Sequence, residues 1–248
     1  MKKGRQMLDF GFYNIDCMDG MKQFPDQYFD LAIVDPPYGG GFTEGGGCQG
    51  WFKKYHQNSN ENSNKRLRFH GSDINPEDPW YKYQHTEDGK KKIISWDIAP
   101  DDSYFEELFR VSKNQIIWGG NYFNLPPTRC FLIWKKLTIS EAFSMAMAEY
   151  AWTSFNANAK VFEYPPQDKE RFHPTQKPIA LYKWLIDRFM PDGGVLLDTH
   201  VGSASSLIAA RETGHKYVGF EIDPDYYEKA KRRLETAENQ MNIFDYLG

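Results

Sequence analysis

Short apolar runs, each closed by an acidic or turn-forming residue, recur along the chain. Leu31-Ala32-Ile33-Val34 stops at Asp35-Pro36-Pro37-Tyr38-Gly39, and Val195-Leu196-Leu197 stops at Asp198. Continuous apolar runs of this length fit strands buried on both faces. Residues Phe10 to Ile15 predict a strand ending at Asp16, and Tyr217 to Phe220 one ending at Glu221. Further strand-like runs lie at Gln115 to Trp118, Cys130 to Trp134, Met147 to Phe155 and Val161 to Tyr164. Helical spacing occupies much of the sequence between them. A short helix is predicted from Met18 to Phe24, and a longer one over 101–112, where Asp101 and Asp102 precede Tyr104, Phe105, Leu108, Phe109 and Val111. Pro178 suits the first position of a helix whose apolar face is Leu181, Trp184, Leu185, Phe189 and the stem of Arg188. Ala204 to Thr213 predicts a helix closed by Gly214, and Pro224 to Thr236 a charged helix at the end of the domain. Strands alternating with helices predict an α/β protein with an open sheet, and in such sheets ligands bind beyond the carboxyl ends of the strands.

Residues 39–95 break this pattern. Gly39, Gly40, Gly41, Gly45, Gly46 and Gly47 surround Phe42, and an Asn/Ser-rich stretch runs from Gln57 to Asn64. A segment this long and irregular within a compact domain is a lid, a binding loop or disorder. It interleaves Lys53, Lys54, Lys65, Arg66, Arg68 and Lys90 to Lys92 with Trp51, Phe52, Tyr55, Phe69, Trp80, Tyr81 and Tyr83. Cations for phosphates and rings for bases favour nucleic-acid contact over a solvated insertion with its own apolar cluster. The net charge of −4 makes such local patches necessary, since the chain as a whole does not attract a polyanion. At 248 residues one domain over 1–248 is expected, with 39–95 as an insertion and 240–248 as a short tail. Cys17, Cys48 and Cys130 are isolated and odd in number, so neither a disulfide framework nor a paired metal motif is predicted, and a reducing compartment follows. The basic start Met1-Lys2-Lys3-Gly4-Arg5 has no apolar stretch behind it, so a cytoplasmic protein without a membrane partner is expected.

The predicted chemistry gathers at the strand ends. Proline fixes its own φ and cannot donate, so the carbonyls of Asp35, Pro36 and Pro37 become rigid acceptors beside an ionised carboxylate. An exocyclic amine on a base is a poor nucleophile because its lone pair is delocalised into the ring. Two acceptors gripping its hydrogens favour a more pyramidal nitrogen, while Tyr38 can stack on a base that has left its helix. Val201-Gly202-Ser203 predicts a tight turn between a strand and a helix, with Glu221 about 20 residues beyond the glycine, the spacing used for ribose hydroxyls. Asp16 is either a polar contact to a cofactor base or a helix cap, and both need the same position. In His173-Pro174-Thr175-Gln176-Lys177-Pro178, Thr175, Lys177 and backbone amides at the helix start would suit a carboxylate, whereas His173 is equally structural or functional. The Trp118-Gly119-Gly120-Asn121 turn and Trp134 to Lys136 could border a site, though core packing explains the tryptophans as well.

Taken together, Asp35-Pro36-Pro37-Tyr38 and His173-Pro174-Thr175-Gln176-Lys177-Pro178 resemble the DNA amino-methyltransferases that use S-adenosylmethionine to modify adenine or cytosine. The resemblance covers most of the chain outside 39–95. Its order, catalytic motif first and cofactor motif second, is that of the permuted β class, and it is most similar to the phage- or prophage-type adenine enzymes. It implies a Rossmann-like fold with a mixed seven-stranded sheet and helices on both faces, and a base flipped out of double-stranded DNA onto Asp35 and Tyr38. It places the cofactor at Asp198, Gly202, Ser203, Glu221 and Asp223. Asp35 in the first motif position resembles the N6-adenine enzymes, the N4-cytosine enzymes usually having Ser there. The cofactor loop departs from the family's D-P-F-x-G-S-G, reading Asp198-Thr199-His200-Val201-Gly202-Ser203-Ala204, and His200 is expected to stack where the aromatic is lost. Only Asn156 to Arg171 is left for a separate recognition region, so residues 39–95 are expected to share that task or specificity to be relaxed.

The implied partner is DNA, with a homodimer left open; separately, Gln240-Met241-Asn242-Ile243-Phe244 resembles the short peptide by which bacterial replication proteins dock on the sliding clamp, an ordinary tail that packs or frays being the alternative. Transfer to the adenine N6 amine is the favoured activity. Transfer to the cytosine N4 amine, and a non-catalytic nucleic-acid or clamp-binding module that has lost its cofactor, are the alternatives. No metal is called for.

Overall fold

The computed structural model describes residues 7–39, 98–140, 146–166, 171–173 and 175–247, with side chains through Asn239. In chain order the elements are β1 (Gly11–Tyr13), α1 (Cys17–Met21), β2 (Leu31–Val34), α2 (Asp102–Val111) and β3 (Gln115–Trp118). A 3-10 turn at Gly120–Tyr122 leads to β4 (Phe131–Lys135), β5 (Ala148–Thr153) and β6 (Lys160–Glu163). They are followed by α3 (Ile179–Phe189), β7 (Val195–Asp198), α4 (Ser205–Glu212), β8 (Lys216–Phe220) and α5 (Pro224–Leu247). The strands form one sheet in the order β1-β8-β7-β2-β3-β5-β4-β6. Only β5 is antiparallel to its neighbours, pairing that way with both β3 and β4.

The sheet is therefore mixed and Rossmann-like, but it has eight strands among the described residues rather than the expected seven. The eighth is β6, which joins the outer edge by pairing parallel to β4, Ile133 opposite Val161. Burial alternates along it, Lys160 and Phe162 half-buried and Val161 and Glu163 exposed, a pattern that fits an edge position.

Period-two alternation within each central strand divides the core. Leu31 and Ile33 of β2 point to the layer containing Leu181, Leu185 and Ile186 of α3 and Ala209 and Ala210 of α4. Ala32 and Val34 point the other way, to Met21 of α1 and Phe105, Leu108 and Val111 of α2. Every residue of β2 is thus buried, as a strand covered on both faces must be. A third cluster joins Leu207 and Ile208 of α4 to Ala230 and Leu234 of α5.

Local chemistry explains the helix ends. Asp101 caps α2 by accepting from Ser103 N at 3.0 Å, an interaction typically worth about 1 kcal/mol. Pro178 stands one position outside α3 with extended backbone (ψ 142°), as its N-cap and not as its first helical residue. α5 continues well past Thr236, because no glycine or proline interrupts the sequence between Pro224 and Gly248. The backbone of 240–247 is accordingly helical, where a separate tail was expected. The basic and aromatic insertion, from residue 40 to residue 95, lies outside the described residues. No helix among the described residues is long and apolar enough to cross a membrane.

Candidate active site

Because β5 alone is reversed, one edge of the sheet collects the carboxyl ends of β2, β3, β4, β7 and β8 together with the amino end of β5. Asp35 leaves β2 at this edge. Its Oδ1 accepts the Tyr38 hydroxyl at 2.6 Å, and its Oδ2 accepts from the Lys177 ammonium. Burial and, after it, the Asp35 carboxylate push the Tyr38 phenol well above its ordinary pKa, so it stays a donor. The Tyr38 ring lies against Tyr122, with centroids 4.7 Å apart and planes 30° apart, and meets Phe123 edge-on at 6.1 Å. Gly119 makes this seat available: its φ is +65°, and a Cβ there would stand 2.1 Å from a Tyr38 ring carbon. Only glycine accepts that backbone and that approach.

Lys177 is 3% exposed. Burial disfavours its charge, but Asp35 and Glu149 together hold the ammonium above the usual lysine pKa. Glu149 lies on β5, its Oε2 3.1 Å from Lys177 Nζ and its Oε1 2.6 Å from Lys136 Nζ. Burial would raise the Glu149 pKa; the two lysines instead hold it down at about 2. Four groups of alternating charge thus run across the edge, from Asp35 to Lys136.

On the strand neighbouring β2 the arrangement differs. Asp198 ends β7 with its Oδ1 accepting His200 N at 3.0 Å and its Oδ2 accepting the Ser206 hydroxyl. Burial outweighs these hydrogen bonds and pushes the carboxyl up to about 7. Glu221, just beyond β8, accepts Gly202 N and Asp223 N, each at 2.9 Å, and burial raises its pKa too. Gly202 has φ +56°, and a Cβ on it would come 3.0 Å from the His173 ring. His173 itself is edge-on to Tyr226 at 4.4 Å, and burial, Arg171 and Lys177 bring its pKa down to about 3. Ala204 also takes a left-handed backbone, φ +63°, at the start of α4. Beneath the loop, the Thr199 and Tyr104 hydroxyls are 2.6 Å apart, and the His200 ring stands edge-on to Tyr104 at 5.5 Å.

A family model described as DNA methylase (N6_N4_Mtase) matches residues 51–232. The chain belongs to this family. The match takes in Lys177, Asp198 and Glu221, and Asp35 lies upstream of it. Among curated proteins, the DNA adenine methyltransferase YhdJ of Escherichia coli strain K12 is 38% identical over 72 residues, 29% of this chain and 24% of that one. Among solved structures, M1.HpyAVI in its complex with SAM matches with TM-score 0.51 at 16% identity, over 90% of this chain and 98% of its own. PvuII DNA methyltransferase, which is cytosine-N4-specific, matches with TM-score 0.51 at 11% identity, over 96% and 93%. At these identities the two structures establish a shared fold.

In this methylase the residues singled out in the sequence fall into two groups. Asp35, Pro36, Pro37 and Tyr38 stand at the end of β2, and Asp198, Gly202, Ser203 and Glu221 at the ends of β7 and β8. Asp16 is the N-cap of α1, its carboxylate accepting Met18 N at 2.8 Å, and Asp223 caps α5 through Asp225 N and Tyr226 N. Thr175 N donates to His173 Nδ1 at 3.4 Å. Lys177 is the exception. Its ammonium pairs with the chain's own Asp35 and Glu149, where the sequence suggested that it add charge for a cofactor carboxylate. Glu149 escaped the sequence reading altogether, because a glutamate in the strand-like run of 147–155 carries no local signal. Tyr104, Tyr122 and Phe123 were equally unmarked, being ordinary aromatic residues until the turn after β3 brings the latter two to Tyr38.

Proposed function

We propose that the chain transfers the methyl group of S-adenosylmethionine to the N6 amine of an adenine flipped out of DNA. The observation that carries this is the Asp35 carboxylate at the end of β2, gripped by a hydroxyl and an ammonium, beside a second acidic strand end at Asp198. The β7–β8 edge fits the cofactor. Asp198 and Glu221 are acceptors suited to an amino acid ammonium or ribose hydroxyls, the left-handed backbone of Gly202 turns the loop between them, and Ser203 adds a hydroxyl beside it. Asp16, Asp223 and Thr175 border that edge and contribute through backbone they hold in place. When bound, S-adenosylmethionine supplies an already activated methyl group, so the protein's share is positioning and charge.

Asp35 and the Pro36 carbonyl accept the two N–H groups of the amine and orient its lone pair. Tyr38 gives up its hydrogen bond to Asp35 as its ring takes the base, and Pro37 keeps the backbone from following. Asp35 remains the nearest acceptor for the proton that the amine loses. Aspartate in this motif and the similarity to the adenine methyltransferase YhdJ favour adenine. The chain acts as a single domain, and residues 39–95 share the recognition of DNA.

The test is to incubate the protein with S-adenosylmethionine and unmethylated DNA of mixed sequence, digest to nucleosides, and identify products by mass spectrometry. N6-methyladenine is expected. N4-methylcytosine would overturn the base, and no product from DNA or RNA would overturn the activity in favour of a binding module.

A further inference from the structure

The charged chain behind Asp35 is more extensive than holding one carboxylate requires. Lys177 donates to Asp35 and Glu149, and Glu149 in turn takes Lys136. Both lysines are buried and lie against tryptophan rings, Lys177 5.3 Å from the centroid of Trp118 and Lys136 5.2 Å from that of Trp134. The outer pair stands on rigid backbone: Glu149 is opposite Trp134 in the β4–β5 ladder, and Lys136 N donates to Met147 O at 2.8 Å. A buried ion pair seldom stabilises a fold more than apolar packing would. What this pair does touch, through Lys177, is Asp35.

We propose that Glu149, held by Lys136, is a positioning residue for Asp35 that acts through Lys177. The proposal rests on Asp35 being the acceptor for the target amine. A lysine ammonium has three donors, and the Glu149 carboxylate draws one of them away from Asp35. With Glu149 in place, Lys177 anchors Asp35 without being wholly dependent on it as a counter-ion, and Asp35 keeps lone pairs directed to the amine. Without Glu149, Asp35 becomes the chief counter-ion of a buried cation and is pulled onto it, out of line with the base.

Glu149→Gln keeps the shape and removes the charge. Relative to the unaltered protein we expect kcat to fall roughly 10- to 100-fold, as a displaced reacting group does. The KM for DNA, and the affinity for S-adenosylmethionine by calorimetry, should stay within about twofold. Glu149→Asp should recover part of the lost kcat. Glu163→Gln, which removes only the exposed ion pair with Lys135, serves as a control with unchanged turnover. Should Glu149→Gln fail to fold, Lys136→Met combined with Glu149→Gln removes both charges at once and should show the same loss of kcat. Full kcat in either folded variant, with the unaltered protein active, overturns the positioning role alone. A loss that aspartate does not relieve, accompanied by an equal loss of cofactor affinity, overturns it in favour of a structural role. If the unaltered protein methylates neither base, the activity falls and the proposal with it.

Discussion

Two acidic strand ends, Asp35 on β2 and Asp198 on β7, lie on neighbouring strands of one sheet and are treated in opposite ways. Asp35 is matched by an ammonium and a phenol, its counter-ion Lys177 is matched by Glu149, and Glu149 by Lys136. Asp198 is met by a hydroxyl and a backbone amide, and burial pushes its carboxyl up to about 7. The chain itself thus supplies cations at the first site, while the second is built of acceptors and suits a ligand that brings positive charge. A sulfonium donor bearing an ammonium is such a ligand, and an amine that must lose a proton suits the first.

Exchanging the two losses tests the difference most severely. Asp35→Ala should abolish methyl transfer, by about 10³-fold or more, with binding of S-adenosylmethionine retained. Asp198→Ala should act the other way, with calorimetric cofactor binding lost first. If both variants lose cofactor binding equally, the two strand ends do not have separate tasks.

Gly119→Ala should be next in size. Its Cβ would meet the Tyr38 ring at 2.1 Å on a backbone of φ +65°, so the ring must move. Turnover should drop roughly 100-fold, as for a misplaced contact group, with cofactor affinity unchanged.

A third prediction concerns pH. The folded protein holds the Asp198 proton up to about 7, against an ordinary value of 3.8. The stability this group contributes is complete below the lower value and is lost as pH rises through the upper one. Glu149 has the opposite sign: held at about 2, it contributes above its ordinary 4.5 and loses that contribution as pH falls. Denaturant unfolding of the ligand-free protein at about pH 5 and about pH 8 should therefore find wild type losing stability at the higher pH relative to Asp198→Asn, which has no proton to lose. A difference between the two that is independent of pH would mean that Asp198 is ionised throughout.

The smallest effect belongs to the altered loop. Ala204 holds φ +63° where a glycine would be relaxed, a strain of roughly 1 kcal/mol that its buried methyl group largely offsets. Ala204→Gly should shift unfolding by no more than about 1 kcal/mol and leave cofactor affinity within about threefold. A large gain in affinity would show that the alanine had compromised the site.

The central strands stand where the apolar pattern places them, because a run such as Leu31 to Val34 can be buried on both faces only in a covered sheet. The edges were harder to read. β6 alternates like any half-exposed strand, so nothing local assigns it to this sheet, and the end of α5 depends on the absence of a breaker rather than on a stop signal. At the site, proline geometry made Asp35 conspicuous, and the glycine turn with Glu221 did the same for the β7–β8 edge. Lys177 shows where such inference fails: the first turn of a helix argued for an anion near it, which is correct, but not for which one.

The sequence by itself determined the α/β alternation, the two acidic strand ends and the motifs around them, since these follow from backbone chemistry over a few neighbouring residues. Only the tertiary structure decided that Lys177 reaches Asp35 across 142 positions, and that Glu149 and Lys136 stand behind it. The physical reason is the single reversed strand. With β5 antiparallel, the beginning of one strand lies beside the ends of the others, and charges with no proximity in the chain become one another's counter-ions in a buried edge.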